Sequence, residues 1–175
     1  MGLPVTHEQL QELAWLWYQP LQKCASVEIG IHEHLQTLKD MSLKFAIVSN
    51  TFLPGAVLDR HLQQLVLLRF FPIRLYSSET VIRKPHPKIF QNALRQLEVS
   101  ASAAVMIGDN PAMDIKGAYR AGLSAVLKRA ATNRTQRVRQ QVPVIERIAE
   151  LPALLGSWSH KDVPQHEKSI EFQQH

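Results

Sequence analysis

The chain has 175 residues, of which 45% are hydrophobic and 20% are charged, and its formal net charge at pH 7 is +5. This balance is typical of a folded globular protein and excludes the disordered and fibrous classes. The apolar runs are far shorter than the ~20 residues that a membrane-spanning helix needs, so a membrane protein is not expected.

The first forty residues are predicted to form two helices that are separated by a break near Gly30. Apolar residues recur at helical spacing on each side of this break. They are Leu10, Leu13, Trp17 and Leu21, then Ile31, Leu35, Leu38 and Met41. The pattern then changes, because residues 45–48 form a short continuous apolar run that is typical of a strand buried on both faces.

Helices and strands alternate through the rest of the chain, which predicts an α/β fold with a parallel sheet flanked by helices. Pro87 suits the first turn of a helix, and Gly122 suits the left-handed cap that ends one. The predicted strands cover residues 73–76, 104–107 and 124–127. One predicted helix begins near Pro54, a second begins near Pro87, a third ends at Ala121 and a fourth covers residues 144–155. Residues 157–175 have little apolar content and are predicted to be a disordered polar tail.

The positive charge is concentrated in one stretch. Residues 115–145 contain seven Lys and Arg side chains and no Asp or Glu, which leaves the rest of the chain slightly acidic. A solvated surface is the simpler interpretation, and steering of a phosphate-bearing ligand is the alternative. Nucleic-acid binding through residues 128–139 is not favoured, because no aromatic side chains for base stacking are interleaved there.

Cysteine usage indicates the cellular setting. Cys24 is the single cysteine of the sequence, so an internal disulfide is excluded. The first residues show no charged start followed by a long apolar stretch and a cleavage site, the pattern of a secretory signal. A reducing, cytoplasmic setting is therefore expected.

Ser49, Asn50 and Thr51 follow the strand that is predicted at residues 45–48. In open parallel α/β sheets, ligands bind beyond the carboxyl ends of the strands. A hydroxyl and the amides after it can donate hydrogen bonds to an anionic oxygen at such a position. Ser and Asn are also common turn formers, so this segment alone is only a candidate anion site.

Lys84 stands in a second candidate segment, residues 83–87, in which two prolines fix the approach to a helix. A cation on a stiff backbone suits the charge of a phosphoryl group, although a surface lysine before a helix has the same pattern. Asp109 and Asp114 form the third candidate, one at a strand end and the other five residues later. Such a pair suits Mg²⁺, which binds through one or two carboxylates and keeps several waters, and helix capping is the alternative.

In this order, the three segments resemble the haloacid dehalogenase superfamily, in particular its phosphatase-like branch with a small helical cap. Residues 45–50 are similar to the second motif of that family, residues 83–90 to its third motif and residues 105–122 to its fourth. The resemblance covers residues 30–155. It implies a Rossmann-like core with a parallel sheet flanked by helices.

The resemblance also implies roles for the candidate residues. Ser49 would act in catalysis by binding the transferring phosphoryl group, and Asn50 would bind this group as well. Lys84 would balance the charge of that group and act in catalysis as well. Asp109 would bind Mg²⁺ with Asp114 in support, and the substrate would be a small phosphorylated metabolite.

The first motif of the family, a strand that ends in Asp-x-Asp, has no counterpart, because no two aspartates stand two residues apart in the sequence. In the family, the first carboxylate attacks phosphorus to form an aspartyl-phosphate and the second serves as general acid and base. The chain is therefore interpreted as a core without its central nucleophile strand. It is predicted to be inactive alone and to bind Mg²⁺ weakly or not at all.

Three domains are expected: residues 1–26 as the remnant of a helical cap, residues 27–156 as the core and residues 157–175 as the tail. One hypothesis makes the chain a C-terminal fragment of a Mg²⁺-dependent phosphomonoesterase. The other makes it a non-catalytic module that binds a phosphorylated ligand or a protein partner. Because the absent strand would be central, we expect either a gap or a direct pairing between residues 45–49 and residues 105–108.

Overall fold

The computed structural model describes residues 4–134 and 142–158 of the chain. The helices are α1 (His7–Gln22), α2 (Ile31–Asp40), α3 (Gly55–Gln64), α4 (Pro87–Leu97), α5 (Lys116–Arg120) and α6 (Leu151–Gly156). The strands are β1 (Ala46–Ser49), β2 (Ile73–Tyr76), β3 (Val105–Gly108), β4 (Ser124–Lys128) and β5 (Val144–Ile145). The first four strands lie within one residue of their predicted positions, and the α/β fold class is confirmed. No described helix has both the length and the apolar character required to span a membrane.

The strands form two parallel sheets. β1 pairs with β2, so that Ala46 lies opposite Ile73 and Ser49 opposite Tyr76. The second sheet has the order β3-β4-β5. The helical segments between β1 and β2 and between β3 and β4 allow the strands of each pair to run in the same direction.

β1 and β3 belong to different sheets, so a gap separates the two strands, and they do not pair directly. Val48 of β1 and Met106 of β3 nevertheless pack against one buried cluster, to which α4 contributes. On the opposite face, Phe45 and Ile107 pack against a second cluster, which contains Leu38 of α2. The two sheets are therefore halves of one layer that share the same covering helices.

Burial differs between the strands beside the gap and the strand behind it. All four residues of β1 and of β3 are only partly buried, whereas the first four residues of β4 are buried. Continuous apolar runs normally mark strands that are buried on both faces. The lower burial of β1 and β3 coincides with edges that pair with no other strand of the described residues.

α4 and β4 both contribute to the first buried cluster of the core. Ile89, Phe90, Ala93 and Leu94 form the buried side of α4, as its sequence period predicts. Pro87 occupies the first turn of this helix and needs no backbone N–H there. Gly117 lies against Phe90 and Pro85, where an added Cβ would approach Phe90 to 2.7 Å. This close packing brings α5 and the start of α4 together beneath the site.

α1 is a helix as predicted, but its apolar stripe faces outward. Leu10, Leu13, Trp17 and Leu21 are each about half exposed, and Trp15 is the buried residue of this helix. Trp15 packs under the Arg60 guanidinium, 4.2 Å from the ring centroid. Polar and aromatic contacts with α3 thus determine the orientation of α1, and its helical period alone does not reveal which side is buried.

The helix predicted over residues 144–155 is wrong in its first half. Val144 and Ile145 form β5 and pair with Leu127 and Lys128 of β4, and the helix begins only at Leu151. Short apolar runs fit a strand or a helix equally well, so the available edge of β4 decides the outcome. Most of the predicted tail lies outside the described residues.

Candidate functional site

Asn50 connects the end of β1 to the segment that carries Lys84. Its Nδ2 donates to the Lys84 carbonyl oxygen at 2.9 Å, and its Oδ1 accepts from the Lys84 amide at 2.8 Å. The Lys84–Pro85 peptide bond is cis. Because one side chain binds both backbone polar groups of Lys84, this lysine is held next to Ser49 and Asn50 at the carboxyl end of β1.

Lys84 also forms a buried ion pair with Asp114. Its Nζ lies 2.6 Å from Asp114 Oδ1, and the two residues are only 8% and 3% exposed. Removing one partner of a buried pair leaves an uncompensated charge, which typically costs ~3–5 kcal/mol. An ammonium group has three N–H donors, so Lys84 can bond Asp114 and an added anionic oxygen at the same time.

The turn after β3 places Asp114 in this pair. A single π-helical turn covers Pro111–Ile115, and the Asn110 side chain accepts from the Ala112 and Met113 amides, both at 3.0 Å. In return, Asp114 Oδ2 accepts from the Asn110 amide at 2.9 Å. These reciprocal bonds fix the turn and direct the other carboxylate oxygen of Asp114 toward Lys84.

Gly108 makes room for Asp114 at the end of β3. A Cβ atom at this position would lie 2.5 Å from the Cβ and Cγ atoms of Asp114, closer than side-chain atoms pack. The glycine is therefore required by the close approach of the carboxylate.

Asp109 is held by residues that the sequence analysis did not single out. Thr132 donates its hydroxyl to Asp109 Oδ2 at 2.8 Å. Asn133 is 1% exposed, and its Nδ2 donates to the carbonyl oxygens of Asp109 (2.7 Å) and Lys128 (2.8 Å). The loop after β4 thus supports the end of β3. The sequence signal that points to these two residues is their position in a loop at the carboxyl end of a parallel strand, where ligands bind in such sheets.

The donor set does not form a complete Mg²⁺ site among the described residues. Their side chains include no group of three or more His, Cys, Asp or Glu arranged to hold a metal ion. Asp114 directs its oxygens to Lys84 and to the Asn110 amide, while Asp109 accepts from Thr132. The two predicted ligands alone therefore do not fit the several oxygen ligands that Mg²⁺ requires.

Tyr76 lies opposite Ser49 in the sheet and is almost fully buried. Burial raises its pKa well above the ordinary range, and its hydroxyl donates to Asp59 Oδ1 at 2.7 Å, which adds to the increase. Arg74 bonds the same carboxylate oxygen at 2.8 Å. Tyr76 therefore remains a protonated donor that links β2 to α3, and it does not act as an acid or a base near neutral pH.

Lys128, the first residue of the basic stretch at 128–139, has several intramolecular partners. Its Nζ lies 2.9 Å from Glu28 Oε1 and donates to the carbonyl oxygens of Arg129 and Glu146. Glu28 Oε2 in turn accepts from the Ile148 amide at 2.9 Å. This lysine joins the segment before α2 to the C-terminal part of the chain, and residues 135–139 lie outside the described residues.

Among curated proteins, the chain is similar to phosphatases over part of its length. It is 40% identical to the phosphoserine phosphatase of Thermus thermophilus over 77 residues, which is 42% of this chain and 31% of that protein. It is 36% identical to the glyceraldehyde 3-phosphate phosphatase of Methanopyrus kandleri over 94 residues, 53% of this chain and 39% of that protein. The chain thus spans well under half the length of these two relatives.

Solved structures and a family model agree with this similarity. The structure of a HAD phosphatase from Thermococcus onnurineus matches with a TM-score of 0.69 at 26% identity, over 88% of this chain and 66% of that one. The model described as haloacid dehalogenase-like hydrolase matches residues 6–128, which is more than half of the sequence. The chain therefore belongs to the haloacid dehalogenase-like hydrolase family.

Proposed function

We propose that this chain supplies the phosphate-binding half of a Mg²⁺-dependent phosphomonoesterase that works through an aspartyl-phosphate. The observation that carries the proposal is the row of contacts from Asn50 through Lys84 to Asp114. This row crosses from the end of β1 to the end of β3, the two strands whose inner edges pair with no other strand in the described part of the chain. An attacking carboxylate on a strand between them would end beside Lys84.

The proposed roles follow from the chemistry of each group. The Ser49 hydroxyl and the amides after it donate to the phosphoryl oxygens, and Lys84 offsets the negative charge that the ligand brings. Asn50 keeps the lysine at the end of β1. The substrate is proposed to be a small phosphorylated metabolite, which the names of the two curated relatives support.

Mg²⁺ is the proposed cofactor of the complete enzyme, with Asp109 as a ligand and Asp114 as a support. Because two carboxylates form at most half of a site, the 175-residue chain is expected to bind the ion weakly. Isothermal titration calorimetry with MgCl₂ checks this expectation of weak binding, and tight binding of one ion per chain would contradict it.

The proposed cellular setting is the cytoplasm.

The proposal predicts that the purified chain releases no phosphate from p-nitrophenyl phosphate above background in the presence of Mg²⁺. Ser49 and Lys84 can stabilise a transferring phosphoryl group but cannot attack it, so little rate acceleration remains. The assay follows p-nitrophenolate absorbance, with Asp109→Asn as the control variant. Hydrolysis that is abolished in this variant would show that the chain carries its own nucleophile.

The second candidate function is a non-catalytic module that binds a phosphorylated ligand or a protein partner. The absence of any Asp-x-Asp from the 175 residues favours it. Sequencing the genomic DNA upstream in the same reading frame separates the two candidates. An in-frame Asp-x-Asp at the end of an apolar run supports the phosphatase, and its absence supports the binding module.

A further inference from the structure

Two exposed aromatic side chains lie in contact beside the candidate phosphate site. Phe52, in the loop after β1, is 77% exposed, and Trp17 of α1 is 57% exposed. Their ring centroids are 5.6 Å apart with an interplanar angle of 70°, an edge-to-face arrangement. Both rings thus retain most of their apolar surface in solvent.

Hydrogen bonds fix the backbone of the loop on both sides of Phe52. The Thr51 amide donates to Ser77 Oγ at 2.9 Å, and the Ser77 hydroxyl donates to the Thr51 carbonyl oxygen at 3.0 Å. The Leu53 amide donates to Thr51 Oγ1 at 3.0 Å, and Leu53 itself is buried. Phe52 is therefore presented outward from a fixed backbone, so that little further ordering is needed when it binds a ligand.

The position of the pair connects it to the phosphate site. Phe52 stands three residues after Ser49, so their Cα atoms are at most about 11 Å apart. Asn50, which lies between them in the sequence, is held at the same end of the sheet by its two hydrogen bonds with the Lys84 backbone. A group esterified to a phosphate at Ser49 can therefore extend along the loop to the two rings.

We propose that Trp17 and Phe52 bind the organic group of the phosphate ester and that this group is aromatic or similarly planar and apolar. This inference rests on the proposed phosphate site and adds the class of substrate to it. Aromatic rings offer apolar area and a favourable geometry to another ring, whereas a small hydrophilic ester gains little from them.

The rest of the exposed side of α1 makes a protein contact the alternative. Leu10, Leu13 and Leu21 are further exposed apolar residues of this helix. A second copy or another protein chain that covered this exposed side would also cover Trp17. The fixed backbone that carries Phe52 three residues after Ser49 favours a ligand of the site, and the experiment below includes the other outcome.

The test compares two phosphate monoesters that differ in their organic group. Phenyl phosphate and methyl phosphate are titrated against the full 175-residue chain and followed by ³¹P NMR at constant Mg²⁺. The unmodified chain is expected to bind phenyl phosphate about tenfold more tightly. Phe52→Ala and Trp17→Ala are each expected to reduce this preference to about twofold or less, with much smaller effects on methyl phosphate. Met41→Ala, an exposed apolar residue before the amino end of β1, is the matched control and should retain the tenfold preference.

Ser49→Ala separates failure of this inference from failure of the phosphate site. If neither ester binds, or if Ser49→Ala changes neither affinity, the proposed function is wrong and the inference falls with it. If both esters bind equally, or if Phe52→Ala and Trp17→Ala weaken both to the same extent, the inference alone is overturned. A change from dimer to monomer in Trp17→Ala at an unchanged phenyl preference, measured by light scattering, would identify a protein contact instead.

Discussion

Gly108 provides a prediction at the scale of one residue. Gly108→Ala places a Cβ against Asp114 and is expected to displace this carboxylate from Lys84, which lowers the free energy of unfolding by about 2–4 kcal/mol. Urea unfolding followed by circular dichroism measures the loss. Gly156→Ala is the matched control, because an added Cβ at that position has no atom within 4 Å. Equal unfolding midpoints for the two variants would contradict the close-approach argument.

Other residues of the site are predictable where a short motif carries the chemistry. The sequence points to Asn50, Lys84 and Asp114, and the structure brings them into contact. Their roles in binding phosphate or metal, and those of Ser49 and Asp109, stay predictions. Thr132 and Asn133 are not predictable in this way, because they lie more than twenty residues after Asp109 and belong to no motif. Their contribution depends on the pairing of β3 with β4, which a local pattern does not show.

Elements were predictable where the sequence period is long and the buried side is decided locally. α4 has both properties, since its apolar stripe and its proline at the first turn agree. α1 and β5 show what the period leaves open. The contact of Trp15 with Arg60 of α3 decides which side of α1 is buried. The edge of β4 decides whether residues 144 and 145 extend the sheet. Such tertiary contacts are not encoded within the segment itself.

Glu28 links elements from both ends of the chain and gives a pH-dependent prediction. Partial burial alone would raise the pKa of its carboxyl group. Hydrogen bonds from the Lys128 side chain and the Ile148 amide outweigh this effect, together with the positive charges of Lys128 and Arg147. The pKa of Glu28 is therefore lower than its usual value near 4.5. A lowered pKa in the folded state stabilises the protein above about pH 4.5, and this contribution is lost as the pH falls through the folded-state value.

Glu28→Gln is therefore expected to lower stability at pH 7 and to have less effect at pH 3, because the contribution of a lowered pKa to stability decreases as the pH falls below about 4.5. Urea unfolding midpoints of both proteins at the two pH values measure this difference. Glu146→Gln, at an exposed neighbouring position, serves as the control. A deficit of the same size at both pH values would show that packing, and not the ion pair with Lys128, stabilises this junction.

At the scale of the whole molecule, the sequence predicted the fold class and two possible arrangements of β1 and β3, but it did not decide between them. The structure contains the gap. Shared covering helices hold the two sheets in one layer, and contacts such as Lys84 with Asp114 connect their carboxyl ends. Neither feature requires β1 to pair with β3. The resulting edges present backbone N–H and C=O groups beside partly buried apolar side chains, a surface that favours strand addition.

A peptide that forms one extended strand should therefore stabilise the chain. The test uses a synthetic peptide of about six apolar residues that ends in Asp-x-Asp. Because the peptide binds only the folded state, we expect it to raise the urea midpoint of the chain. At concentrations above its Kd, this increase should be proportional to the logarithm of the peptide concentration. Far-UV and near-UV circular dichroism should then follow one coincident transition. The matched control peptide carries proline at two central positions and so lacks the N–H donors that pair with a strand. If the two peptides shift the midpoint equally, or if neither does, the gap between β1 and β3 does not accept a strand.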